Sequence, residues 1–186
     1  HVGGTGNHDV VMIEGMPDFV KGPIYGGMMK NFAETFGNAI ASMPTGKIEE
    51  IPMGNTQNWN GIKFVFQKGA STDFPAASII IGNKVYYTHW SPTKAHISHL
   101  QISSSSAIDA EIREAENALN SDCEIFIGGH GDVSNRECVI FKINYLKTLK
   151  DLLSKDKKTF IETLKKIYPN LPGETGLADL ANSLYQ

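Results

Sequence analysis

The sequence is poor in several features that would otherwise decide its class. Two cysteines in 186 residues, Cys123 and Cys138, are too few for a disulfide framework, and both read as buried thiols. No uninterrupted apolar run approaches the roughly 18 residues that a membrane span needs, so no membrane partner is expected. Charge of one sign is also lacking: 17 basic against 20 acidic residues leave a formal charge of −3. Nothing global therefore points to nucleic acid or to an anionic surface. Gly-x-Ser-x-Gly, Cys-x-x-Cys, P-loop and dinucleotide fingerprints are all missing, which removes the commonest serine, redox and nucleotide chemistries. Neither cysteine lies beside an evident base in sequence, so a thiol nucleophile is unsupported.

What remains is an ordinary globular composition, 41% hydrophobic and 20% charged. The length suits a single domain, 1–186, whose last part, 155–186, reads as a helical tail. The first residue is His1 rather than Met, so an upstream part of the same protein is expected and the compartment is left open. Oligomeric state is not legible.

Element order carries more. Asp9–Ile13 reads as a strand. Residues 24–42 read as a helix in which Met28, Phe32, Phe36 and Ile40 form one apolar face. Residues 52–61 form a polar loop, followed by strands at 62–67 and 76–81. Gly82-Asn83 is a two-residue hairpin turn into 84–88. A helix over 107–119 follows the serine run 103–106, with Ser106 as its expected N-cap. Residues 124–127 form a buried strand that empties into Gly128-Gly129-His130-Gly131. Ser134 and Glu137 then have capping-box spacing at the head of a long helix reaching Leu153. Two shorter helices, 157–167 and 175–184, complete an α/β (α+β) layered domain. Residues 142–166 hold eight lysines against three acids, read as a solvated outer face rather than a nucleic-acid surface.

Histidine is the residue type with chemistry to offer, since imidazole is both a common metal ligand and a proton carrier near neutral pH. His130 stands at the C-terminal lip of a buried strand among glycines that let the backbone turn sharply and other groups approach. His89 ends the second arm of the hairpin, before Trp90. His96 and His99 would share a face if 93–101 were helical. Asp73, in Thr72-Asp73-Phe74-Pro75, precedes the hairpin and reads as a turn former that would lie at the mouth of the same sheet as His89.

These pieces resemble the metallo-β-lactamase fold superfamily. His1-Val2-Gly3-Gly4-Thr5 is similar to the end of its H-x-H-x-D-H-x-G-G motif. Ile127-Gly128-Gly129-His130-Gly131-Asp132-Val133 is similar to its late Gly-His-Gly. Two positions depart from the common hydrolase pattern. Asp73 stands near the place of a Gly-His-Thr-Pro-Gly histidine, and Thr88-His89 replaces a Gly-Asp pair, with an alkylsulfatase-like branch as the nearest variant.

The resemblance implies an αββα sandwich lacking its N-terminal strands. It implies metal ligation by His1, Asp73, His89 and His130, with His96 near the substrate as the residue assigned to catalysis. It also implies Zn²⁺ as cofactor, one ion or two, with Mn²⁺ or Fe²⁺ as variants. The reaction would be metal-dependent hydrolysis of a small-molecule ester, sulfate ester, amide or related bond. The alternative is the same fold without catalysis, a binding or scaffold domain with degenerate ligands.

Overall fold

A computed structural model of the chain describes residues 8–39, 46–71 and 75–185. His1 and Asp73, two of the expected ligands, lie outside these residues, as does Ile40.

The described chain is an α/β sandwich with two sheets. β1 (Val10–Ile13) pairs in parallel with β2 (Ile48–Ile51). Between them run α1 (Met16–Lys21) and α2 (Pro23–Phe36), and Met12, Val20 and Tyr25 form a small core there. α2 stops at Gly37, whose φ of 54° lies in the left-handed region, so the helix is shorter than its apolar periodicity predicts. The predicted apolar face is also uncovered: Ile24, Met28, Phe32 and Phe36 are exposed, and Tyr25 is the buried side chain of α2.

The second sheet has five strands in sequence order: β3 (Thr56–Trp59), β4 (Ile62–Lys68), β5 (Ala77–Ile81), β6 (Val85–Trp90) and β7 (Ile125–His130). The first four are antiparallel neighbours, and β7 joins β6 in parallel. β3 falls within the segment expected to be a polar loop. Its turn into β4 is Asn60-Gly61, both at positive φ, which is the chemistry of a tight type I′ hairpin. The β5–β6 connection is one residue longer than predicted, because Ile81 pairs with Val85.

A parallel neighbour requires a crossover, and α3 (Ser105–Asn120) supplies it. Ser104, not Ser106, caps this helix, accepting from the Ala107 N–H at 3.3 Å. α4 (Arg136–Leu152) follows β7 and is capped by Asn135 rather than by Ser134. Ser134 instead exchanges backbone hydrogen bonds with Phe126 at 2.8 and 3.0 Å, which fastens the loop to β7. Arg136 at the head of α4 donates to the carbonyls of Leu119, Ser121 and Cys123 at 2.5–3.2 Å. A cation at the carbonyl end of α3 satisfies groups that have no partner within the helix.

Two cores result. Tyr86, Ala115, Ala118, Cys123, Phe126, Val139 and Ile143 fill the space between the sheet and the α3/α4 pair. Beyond it, Leu146, Leu149, Phe160, Leu164, Leu177 and Leu180 join α4 to α5 (Lys157–Ile167) and α6 (Leu177–Leu184). The tail thus shares a core with α3 and α4. No helix among the described residues is long and apolar enough to cross a membrane.

Candidate functional site

The site is built by the C-terminal ends of β6 and β7. Parallel pairing runs from Val85 opposite Ile125 to Trp90 opposite His130, so both strands deliver their last side chains to the same edge of the sheet. Ligand sites in α/β sheets favour this edge, where strands end and loops begin. The close approach depends on glycine. A Cβ on Gly128 would collide with the backbone nitrogen of Ser91. Gly131, at φ +90°, then turns the chain in a conformation that a side chain disfavours. Ser91 fixes the junction, donating its N–H to His130 O at 2.9 Å and its hydroxyl to Asp132 O at 2.6 Å.

Three rings converge there. His89 and His130 have ring centres 5.1 Å apart at 74°, and Trp90 stacks on His130 at 4.4 Å and 26°. His89 also meets the edge of Trp90 at 5.5 Å. All three residues are half-buried. Burial, and then the neighbouring His130, push the His89 imidazole below its usual pKa, which favours its neutral form.

The residues test well as part of a metal site and fall short of a whole one. Two imidazoles bound to one tetrahedral ion at about 2.0–2.1 Å per nitrogen put their ring centres roughly 5 Å apart, close to the separation found. Among the described residues, however, no group of three His, Cys, Asp or Glu side chains is arranged to hold an ion.

His89 and Trp90 also line a cavity of about 30 Å³, closed by Ser71, Gln101, Glu111 and Glu114. That is room for on the order of two water molecules. The carboxylates come from one face of α3 at i and i+3. Glu111 is paired with Lys142 of α4 at 2.6 Å, and both side chains are about 95% buried. Lys142 is therefore not part of a solvated lysine face, as its neighbours in sequence suggest. Glu114 bonds the Ser78 hydroxyl on β5, and burial raises its carboxyl above the usual range, against the pull of Lys142.

His96 lies elsewhere. Residues 93–101 are irregular rather than helical, and His96 is 8% exposed. Its Nδ1 meets the Tyr145 hydroxyl at 2.7 Å, its backbone N–H donates to Pro172 O, and Gly173 closes over it. It packs the loop against α4 and the tail, and is not among the residues lining the cavity with His89. The structure thus places His96 in the interior, held by Tyr145 and the tail.

Sequence reasoning missed Glu111, Glu114 and Lys142. The signal was present: each is a charged residue at an apolar position of its helix, between Ile108 and Ala115 or between Val139 and Leu146.

The strand order and the parallel β6–β7 pair with its crossover helix fit the metallo-β-lactamase fold. An archaeal metallo-β-lactamase superfamily protein from Sulfolobus tokodaii superposes with a TM-score of 0.50 at 12% identity, covering 94% of this chain and 70% of that one. Weaker similarities are to a flavo di-iron protein variant from Thermotoga maritima and a metallo-β-lactamase from Hirschia baltica. The first has a TM-score of 0.43 at 11% identity, covering 86% of this chain and 45% of that one. The second has a TM-score of 0.30 at 17% identity, covering 64% and 54%. This chain therefore spans about half the length of those two. No protein-family profile and no curated protein matches the sequence.

Proposed function

We propose that the chain is a metal-dependent hydrolase of a small-molecule ester, sulfate ester, amide or related bond, with His89 and His130 sharing a divalent ion. The supporting observation is the pair of imidazoles that the ends of two adjacent parallel strands bring to 5.1 Å. Zinc suits such nitrogen ligands, and Mn²⁺ or Fe²⁺ are the variants to compare. Asp73 and His1 are the proposed further ligands.

A divalent ion held there supplies a Lewis acid and lowers the pKa of a water from 15.7 to about 7. The chain's own groups do the rest. The lowered pKa of the half-buried His89 favours the neutral form that a metal ligand needs as pH falls toward the usual imidazole range. Trp90 fixes the plane of His130 and gives the substrate an apolar wall. Gln101 and Ser71 give the cavity a polar lining for a small polar group.

The test is turnover of a panel of p-nitrophenyl esters and sulfates by the full chain, before and after chelation, with Zn²⁺ or Mn²⁺ added back. The proposal requires activity that is lost with chelator, restored by metal, and reduced at least about 100-fold in His89→Ala and His130→Ala. Activity indifferent to chelation contradicts it. The alternative of a non-catalytic binding domain is favoured by the lack of a third ligand among the described residues. That reading requires no turnover of any panel member, with or without added metal.

A further inference from the structure

We propose that the buried Lys142–Glu111 ion pair is a positioning device for the histidine pair, with Lys142 as the positioning residue. The pair links four separate parts of the chain. Glu111 comes from α3 and Lys142 from α4. Gln101 Nε2 donates to Glu111 Oε2 at 3.1 Å, which brings in the loop before α3. Lys142 Nζ reaches the carbonyl of Trp90 at 3.5 Å, the last residue of β6.

Stability alone gives this pair little reason to exist. Removing two charges from water costs several kcal/mol per ion, and well-packed apolar replacements are often neutral or stabilising. What the pair provides that leucine and methionine cannot is direction. Its hydrogen bonds fix where the end of β6 sits relative to two helices. The held residue is the one whose ring stacks on His130 at 4.4 Å, and Glu111 lines the cavity next to His89. Placement therefore passes from Gln101 and Glu111 through Lys142 to the Trp90 backbone, and from the Trp90 ring to His130. The inference takes His89 and His130 as the working pair of the proposed function, but it concerns where their rings stand and is tested without metal.

The experiment uses NMR of the metal-free full chain, followed by titration with zinc. A ring stacked on Trp90 gives His130 protons shifted upfield, and the two imidazoles give an inter-ring NOE. In Glu111→Leu/Lys142→Met, which replaces both members of the pair with apolar groups, both signatures are lost while a cooperative melt is retained. Zinc affinity then falls about 10–100-fold, as expected when a group behind a metal ligand is removed. Lys142→Arg, which keeps charge and reach, restores the ring shifts. Glu111→Asp, which withdraws the carboxylate by one methylene, moves the same resonances in the same direction and serves if the double variant does not fold. Wild-type ring shifts and NOE in the double variant or in Glu111→Asp overturn the proposal. Wild-type protein that shows the ring signatures but does not bind zinc defeats the proposed function and leaves this inference standing.

Discussion

Trp90 and His130 face each other at the end of the parallel β6–β7 ladder, and their rings stack at 4.4 Å with planes 26° apart. An aromatic pair of this kind contributes about 0.5–1.5 kcal/mol beyond its area, and here it also fixes the orientation of an imidazole. Trp90→Leu is expected to lower stability by about 1–3 kcal/mol and to weaken zinc binding about tenfold. Chemical denaturation and calorimetric titration read the two effects separately.

Gly128 is a packing requirement. Its Cβ position is occupied by the Ser91 backbone, which cannot withdraw because the Ser91 N–H is bonded to His130 O. Gly128→Ala is expected to cost about 1–3 kcal/mol and to disturb the histidine pair. Gly129→Ala, whose Cβ would meet the Tyr87 hydroxyl at 3.3 Å and His89 O at 3.4 Å, is expected to cost less. Melting curves of the two variants give the comparison.

Glu114 gives stability a pH dependence of a defined sign. Burial raises its carboxyl in the folded state above the unfolded value, opposed by Lys142 and reinforced by Glu111. The folded protein thus holds this proton more tightly. Its contribution is full below the unfolded pKa and is lost as pH rises through the folded one. Glu114→Gln mimics the protonated form, so its stability relative to wild type is expected to rise between pH 5 and 8. Urea denaturation across that range checks it, and parallel curves would contradict it.

His96 acts in the opposite direction. Burial lowers its pKa, Glu174 pulls it up and Lys165 down, and its Nε2 has no hydrogen-bond partner among the described residues. A depressed folded pKa means stability that is present above the unfolded value near 6.5 and lost as pH falls through the folded one. His96→Gln is expected to be less stable at pH 8 through the lost Tyr145 contact, and to lose less on acidification to pH 5. The pH dependence of the melting midpoint tests this.

The convergence of His89 and His130 was more legible in the sequence than its surroundings. His130 was legible because a buried strand ending in glycines leaves few other readings. His89 was legible because it closes a hairpin arm. The hairpin at Asn60-Gly61 was hidden by a polar strand, Thr56–Trp59, that lacks alternating hydrophobicity. The shared face of His96 and His99 does not form, because spacing along the chain says nothing of direction once the segment is irregular. Lys142 was obscured for a related reason: a charge run suggests solvent, and burial of one member depends on a partner 31 residues away on another helix.

The most direct test is zinc-edge anomalous scattering from crystals of the full chain grown with Zn²⁺. An anomalous peak is predicted about 2.0–2.2 Å from a ring nitrogen of both His89 and His130. A refined structure in which zinc binds without either side chain, or in which the two imidazoles point away from a common centre, would contradict it.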